Sequence, residues 1–217
     1  MVQTMGKVFF DVGMSLDGFI AGLNGGPVNP LGDHGIEIHN WMFKQNSFLE
    51  HLSLEGGEEN NIDNDIIKEI FNRIGANIMG KRMFLEGEAN WPEKAPFGVP
   101  VYVLTHQKRD PWERKGGTTF FFTNENIRTV LERAKEDAGN KDVRISGGAD
   151  TIRQYLNAGL IDEYSIHLAP IMLGKGVRLF ENINIDKFSF KIIKAVNSDS
   201  VTHLNYKILK KIYRLNS

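Results

Sequence analysis

Apolar residues fall along this chain in two rhythms. Through the first two thirds, short apolar runs alternate with stretches whose apolar residues recur at i, i+3 and i+4, the spacing of one helix face. Lys7 to Met14 reads as a strand through Val8, Phe9, Phe10 and Val12. A loop rich in Gly, Asn and Pro follows from Asp17 to about Gly35. Trp41, Phe48, Leu49 and Leu52 predict an amphipathic helix, and Glu55 to Asn61 a polar, exposed loop. Ile66, Ile67, Ile70, Phe71 and Ile74 form the next helix face, with Asp63 or Asn64 as N-cap and Gly75 as the C-terminal stop. Ala76 to Met79, Val101 to Leu104 and Thr118 to Phe122 read as strands. Ile127, Val130, Leu131, Ala134 and Ala138 mark a helix starting near Glu125. Val143 to Ile145 is a further strand, and Ile152, Tyr155 and Leu156 mark a further helix.

After Leu160 the period becomes two. Tyr164, Ile166 and Leu168 alternate with Ser165 and His167, which places His167 on the polar phase of its strand. Phe188 and Phe190 alternate on a later strand, and Leu204, Tyr206 and Ile208 on the last. Apolar strands alternating with helices predict an α/β fold with a mostly parallel sheet and helices on both faces. The late alternation adds antiparallel C-terminal strands at one edge. No repeat, low-complexity tract or linker-like break interrupts the chain, so residues 1–217 are expected to form one domain.

Composition removes several function classes. A net charge of −1, with no basic stripe, gives no pull toward nucleic acid or an anionic membrane. No apolar run approaches the roughly 20 residues of a membrane span. The N-terminus passes from a short polar lead into a strand, so no signal peptide is expected. The chain has no cysteine, which rules out disulfides, thiol nucleophiles and cysteine-ligated metals and suits the cytoplasm. His34 and His39 are five apart and His51 lies twelve further on; neither spacing stacks two ligands on a helix face, so no metal site is expected.

The candidate chemistry lies where strands end. Val143-Arg144-Ile145-Ser146-Gly147-Gly148-Ala149 runs strand, Gly-Gly, helix. Such a turn is either a tight connection or a phosphate cradle, since glycine admits an anion close to the backbone and the helix N-terminus offers free N–H groups. Three more polar turns sit at strand ends: Ser15-Leu16-Asp17-Gly18, Gly80-Lys81-Arg82 and Thr105-His106-Gln107. Ligands of open α/β sheets bind outside such ends. Together these turns would supply amides, hydroxyls and two cations to a molecule with several phosphates. Singly, Lys81 and Arg82 also read as a solvated helix start, and Thr105 as a turn cap.

These segments resemble the dihydrofolate-reductase-like superfamily, most closely the reductase domain of riboflavin biosynthesis (the RibD C-terminal domain) and its stand-alone relatives. The resemblance runs through Met14-Ser15-Leu16-Asp17-Gly18-Phe19-Ile20-Ala21, Met79 to Phe84 and Val101 to Thr105. It continues through Ile145 to Gly148, Ala158 to Glu163 and Ala169-Pro170-Ile171-Met172-Leu173-Gly174-Lys175-Gly176. It implies a three-layer dihydrofolate-reductase-like fold, a homodimer paired through the late strands, and NADPH as cofactor. The implied activity is hydride transfer to a C=N or C=O of a small pterin- or ribosylaminopyrimidine-like substrate. By position, Gly147 and Gly148, flanked by Ser146 and Ala149, would face the pyrophosphate. Gly80, Lys81, Arg82 and Thr105 would lie on the adenosine side, and Ala21 beside the nicotinamide. Asp17 becomes the candidate substrate-orienting catalytic group, or a turn residue before Gly18. Asp33, Glu37, Trp41 and Lys175 are the substrate-side candidates, with core packing the other reading for Trp41 and Trp91. Alternatives are a non-catalytic nucleotide- or pterin-binding domain and a true dihydrofolate reductase; the extra Gly and Pro between Asn24 and Asn40 depart from the latter.

Overall fold

The computed structural model describes residues 6–210. Its strands are β1 Val8–Ser15, β2 Phe19–Ala21, β3 Ile74–Gly80, β4 Pro100–Leu104, β5 Trp112–Glu113, β6 Thr119–Thr123, β7 Asp142–Gly147, β8 Glu163–Ala169, β9 Val177–Arg178, β10 Phe188–Asn197 and β11 Thr202–Lys210. Its α-helices are α1 Asn46–His51, α2 Ile62–Arg73, α3 Lys81–Glu88, α4 Ile127–Ala138 and α5 Ala149–Asn157. Nine strands form one sheet in the order β10-β11-β8-β1-β7-β3-β4-β6-β5. The centre, from β8 to β6, is parallel; β11 and β10 extend one edge antiparallel, and β5 closes the other.

Side-chain alternation sorts the strands onto two faces. Val8, Phe10, Ala76, Ile78, Val143 and Ile145 pack with Val130, Leu131 and Ala134 of α4 and Ile152, Tyr155 and Leu156 of α5. The opposite face carries Phe9 under Ile66 and Ile70 of α2, and Val101, Val103 and Phe120 under Phe84 of α3. Both faces are therefore covered, as a parallel sheet requires. The expected mixed sheet with helices on both sides and antiparallel late strands is what the chain forms.

Several local expectations are corrected. The N-cap of α2 is Asn61, whose side chain accepts from the Asn64 amide at 2.8 Å; Asp63 and Asn64 lie in the first turn. Ile74 and Gly75 belong to β3, because the chain turns from helix into strand with no spacer. A Cβ on Gly75 would stand 2.8 Å from that of Ala138, so this glycine allows the strand to pass the end of α4 rather than stopping a helix. The helix expected around Trp41 to Leu52 is a 3-10 turn, Met42–Lys44, followed by the six-residue α1, with a further 3-10 turn, Gly35–His39, before it. The Asp17–Gly35 loop contains β2, which pairs with β9 in a separate two-stranded ribbon. Of the apolar residues on the late strands, through which the resemblance implies pairing, Phe188 and Ile208 are buried in the main core, while Phe190 and Ile192 are exposed.

Candidate functional site

Two helices begin directly at strand ends on the same edge of the sheet. Gly80 is the N-cap of α3 and Gly148 that of α5, and neither first turn is capped by a side chain. Uncapped amides carry unsatisfied N–H groups and the positive end of the helix dipole. Both termini open on one polar cavity of about 330 Å³, lined also by Lys81, Arg82, Thr105, Ala149 and Thr151. A Cβ on Gly80 would stand 2.5 Å from Thr151 Oγ1, so glycine here keeps the two helix starts close. Gly147 has φ +134°, a conformation that L side chains rarely adopt. The Gly147–Gly148 peptide is cis. Amides, three threonine hydroxyls and two exposed cations suit a polyphosphate-bearing ligand such as a dinucleotide cofactor; the carboxylates on the lining, Glu125 and Asp150, are paired with Arg133 and Arg153.

A second cavity, of about 350 Å³, shares Arg82, Gly148 and Ala149 with the first, so the two adjoin as the outer and inner parts of one cleft; it also shares His51, Phe71, Pro96 and Phe97 with a surface groove of about 790 Å³. Ala21, Ser146 and Gly147 line this inner part. Its walls are apolar, with Ile20, Leu31, Met42, Phe43, Trp91 and Phe97 among them. Its floor is polar, because the central strands β1, β7 and β8 place Asp11, Arg144, Ser146 and His167 on the same sheet face. Register brings them together: Asp11 pairs with Ser165 and Gly13 with His167 across β1–β8. Arg144 Nε lies 2.6 Å from Asp11 Oδ1, and Arg144 Nη2 donates to Asp11 Oδ2 at 3.0 Å. Ser146 Oγ donates to Asn77 Oδ1 at 2.8 Å.

Behind the floor lies a buried chain of polar groups. His167 Nδ1 is 2.7 Å from His203 Nδ1, and His203 Nε2 is 2.9 Å from Asp63 Oδ1. Burial holds both rings below the usual histidine value; His203 also gains a second, opposing influence from Asp63. With neutral rings and Asp63 Oδ1 as the acceptor at the end of the chain, the donors are ordered. His203 donates from Nε2 to Asp63, its Nδ1 accepts from His167 Nδ1–H, and His167 Nε2 keeps a lone pair. His39 and His51 also line the cavity, each pushed down to about 4 by burial. The Nε2 atom of His39 is buried and has no hydrogen-bond partner.

All nine candidate cofactor positions line this cleft: Gly80, Lys81, Arg82, Thr105, Gly148 and Ala149 the outer part, Ala21, Ser146 and Gly147 the inner. The substrate-side candidates lie elsewhere. Asp17 accepts from Ser15 Oγ at 2.6 Å and from the amides of Leu173 and Gly174 at 3.1 and 2.7 Å. It clasps the loop after β8 to the end of β1, and the hydroxyl of Ser15 leads the causes that bring its carboxyl down to about 2. Asp33 accepts from the side-chain amides of Asn24 and Asn29 within its own loop. Glu37 pairs with His34 at 2.8 Å on the surface. Trp41 is buried against His167 and His203, a core role. Lys175 is exposed in the 171–176 turn, away from both cavities.

Sequence reading missed Asp11, Arg144, His167, His203 and Asp63. His167 lies on the polar phase of its strand, as the sequence predicts, but the rings of Trp41 and His203 cover that side and bury it. The available signal was a polar residue on the same phase of β1, β7 and β8, strands otherwise apolar enough to sit at a sheet centre.

The family model described as RibD C-terminal domain matches residues 6–204. YwjB of Bacillus subtilis (strain 168) is 34% identical over 148 residues, covering 68% of this chain and 80% of its own. Among solved structures, a Shewanella sp. PV-4 protein named for riboflavin biosynthesis superposes with a TM-score of 0.64 at 24% identity, covering 94% of this chain and 99% of that one. Dihydrofolate reductase from Enterococcus faecalis, complexed with NADP(H) and RAB-propyl, gives 0.54 at 14% identity, covering 94% and 97%. At these identities the superpositions speak for the fold alone.

Proposed function

The chain belongs to the RibD C-terminal domain family, and from that membership we propose that it is an NADPH-dependent reductase that delivers hydride to a C=N or C=O of a small molecule. One observation carries the reading: two uncapped helix starts, with Lys81, Arg82 and Thr105, converge on a polar cleft that runs through Gly148 and Ala149 into an apolar cavity. The residues fit the cofactor. The α3 and α5 amides would hold the pyrophosphate, where the Gly80 cradle leaves no room for a Cβ. Lys81, Arg82 and Thr105 would take the 2′-phosphate, arginine by its forked donors. Ala21, Ser146 and Gly147 would wall the nicotinamide.

When bound, NADPH supplies the hydride; the protein supplies position and a dry site. The apolar walls exclude water from the inner cavity and leave the substrate one polar side, the floor of β1, β7 and β8. Any proton the product needs comes from that side or from solvent through the mouth.

The chain is further read as a single domain that acts in the cytoplasm; no helix among the described residues is long and apolar enough to cross a membrane. A homodimer would cover Phe190, Ile192 and Leu209, which stand exposed on the β10–β11 edge.

The test is a titration of the purified chain with NADPH and NADH, followed by nicotinamide fluorescence. Saturable binding of NADPH, tighter than that of NADH, is expected. Absence of saturable binding by either would overturn the reading.

A further inference from the structure

The inner cavity is unusual in how its charges are disposed. Four charged residues line it, Asp11, Arg82, Glu86 and Arg144, and they form two opposite pairs. Arg144 Nε and Asp11 Oδ1 are 2.6 Å apart, both side chains mostly buried. Arg82 Nε and Glu86 Oε1 are 3.7 Å apart, with Arg82 exposed at the mouth shared with the outer cleft. The histidines on the lining are held neutral by burial. With Arg82 engaged by the cofactor at the shared mouth, an anionic substrate therefore meets no free cation inside. Drawing Arg144 away from Asp11 would leave a carboxylate buried without a partner, which is strongly unfavourable.

The floor has the opposite property toward hydrogen-bond donors. His167 Nε2 carries a lone pair, because Asp63 orders the tautomers of His203 and His167 in turn. It lies 4.0 Å from Asp11 Oδ2. Two acceptors at that separation do not bond each other, but one N–H or O–H placed between them reaches both. His39 stands near this notch, and the rest of the cavity has hydrocarbon and aromatic walls, Phe43, Trp91 and Phe97 among them. A cavity of about 350 Å³ falls in the range of small-molecule sites.

We propose that the inner cavity takes an uncharged, apolar-bodied ring compound that presents an N–H or O–H donor to the Asp11–His167 acceptor pair, and that it rejects phosphorylated substrates. This deepens the reductase reading and rests on it only in assigning the outer cleft to the cofactor. His167 is a binding residue for the donor edge. His203 and Asp63 are positioning residues, since they act by fixing which His167 nitrogen faces the cavity.

The experiment uses three probes of one ring size on the full chain: 1-naphthol, 1-methoxynaphthalene and 1-naphthyl phosphate, with affinities read by calorimetry at pH 7.5. A shared hydrogen bond into a desolvated acceptor pair should favour 1-naphthol over each of the others by about tenfold or more. In His167→Phe the preference over 1-methoxynaphthalene should fall below about threefold. If that variant does not fold, the three affinities on the wild-type chain decide, together with movement of the His167 ring signals in NMR on adding 1-naphthol. Equal or tighter binding of the phosphate with NADPH filling the outer cleft, equal binding of the methyl ether, or no binding of 1-naphthol would each overturn the proposal. Nicotinamide fluorescence with NADPH in the same preparations separates the two readings. Cofactor binding without the naphthol preference overturns this proposal alone, and the preference without cofactor binding overturns the reductase reading alone.

Discussion

His167 and His203 face each other across the β8–β11 pair with their Nδ1 atoms 2.7 Å apart. Two identical nitrogens at that distance need one proton between them, and Asp63, 2.9 Å from His203 Nε2, decides whose it is. Nitrogen-15 NMR of the histidines at pH 7.5 is expected to show His203 protonated at Nε2 and His167 at Nδ1. Asp63→Ala should release the order and produce mixed tautomers. Unchanged tautomers in that variant would mean that Asp63 does not control the chain.

Neutral buried histidines make stability depend on pH. Burial takes His39 and His51 to about 4 and lowers His167 and His203 as well, from an ordinary value of 6.5. Below 6.5 the unfolded chain binds protons at these rings more readily than the native chain does. Stability therefore falls as pH drops from about 6.5 toward 4, by on the order of 1 kcal/mol per pH unit for each of His39 and His51, with His167 and His203 acting in the same direction. Asp17, held down to about 2, keeps its charge through this window and does not offset the loss. Urea midpoints at pH 7.5, 6.0 and 5.0 should decline in that order; a flat series would show that the rings are not buried as described.

Asp17 is a clasp in this structure, holding the amides of Leu173 and Gly174. Asp17→Ala is expected to lower the melting temperature and speed proteolysis in the 171–178 segment, while NADPH affinity stays within about threefold, since no cleft contact is lost. Unchanged stability with abolished turnover would return Asp17 to the chemistry.

Phe84 anchors α3 on the sheet. It is 2% exposed and packs against Trp91, Trp112, Phe120 and Phe122 with ring centroids 5.0 to 6.2 Å away. Phe84→Ala should cost about 3–5 kcal/mol in unfolding free energy, the range for emptying a buried aromatic site. A loss below about 1 kcal/mol would mean that the aromatic cluster closes over the gap.

How much of this was legible in the sequence follows from what fixes each part. The helices around Ile66–Ile70 and Val130–Ala134 and the strands from Ala76 to Leu168 carry their own periodicity, so local pattern suffices. The rim proposed for the cofactor is also local: glycine and basic residues sit where a strand becomes a helix, as at Gly80-Lys81-Arg82 and Ser146-Gly147-Gly148. Residues 17–52 resist such reading, because short 3-10 turns and β2 are held by partners distant in the chain, such as β9. The floor is hardest. Asp11 and Arg144 are 133 residues apart, and Asp63 and His203 are 140 apart. Only the strand order and the packing of α2 bring them together, and their polar phase in the sequence reads equally well as solvent exposure.

Backbone amide NMR during addition of NADPH tests most directly whether the edge shared by α3 and α5 is the cofactor's site. Saturable shifts should concentrate at Gly80 to Arg82, Thr105 and Gly147 to Asp150, and extend inward to Ala21. Shifts clustered around Asn46, Lys68 and Lys94, which line the groove adjoining the inner cavity away from α3 and α5, or no saturable shifts at all, would contradict it.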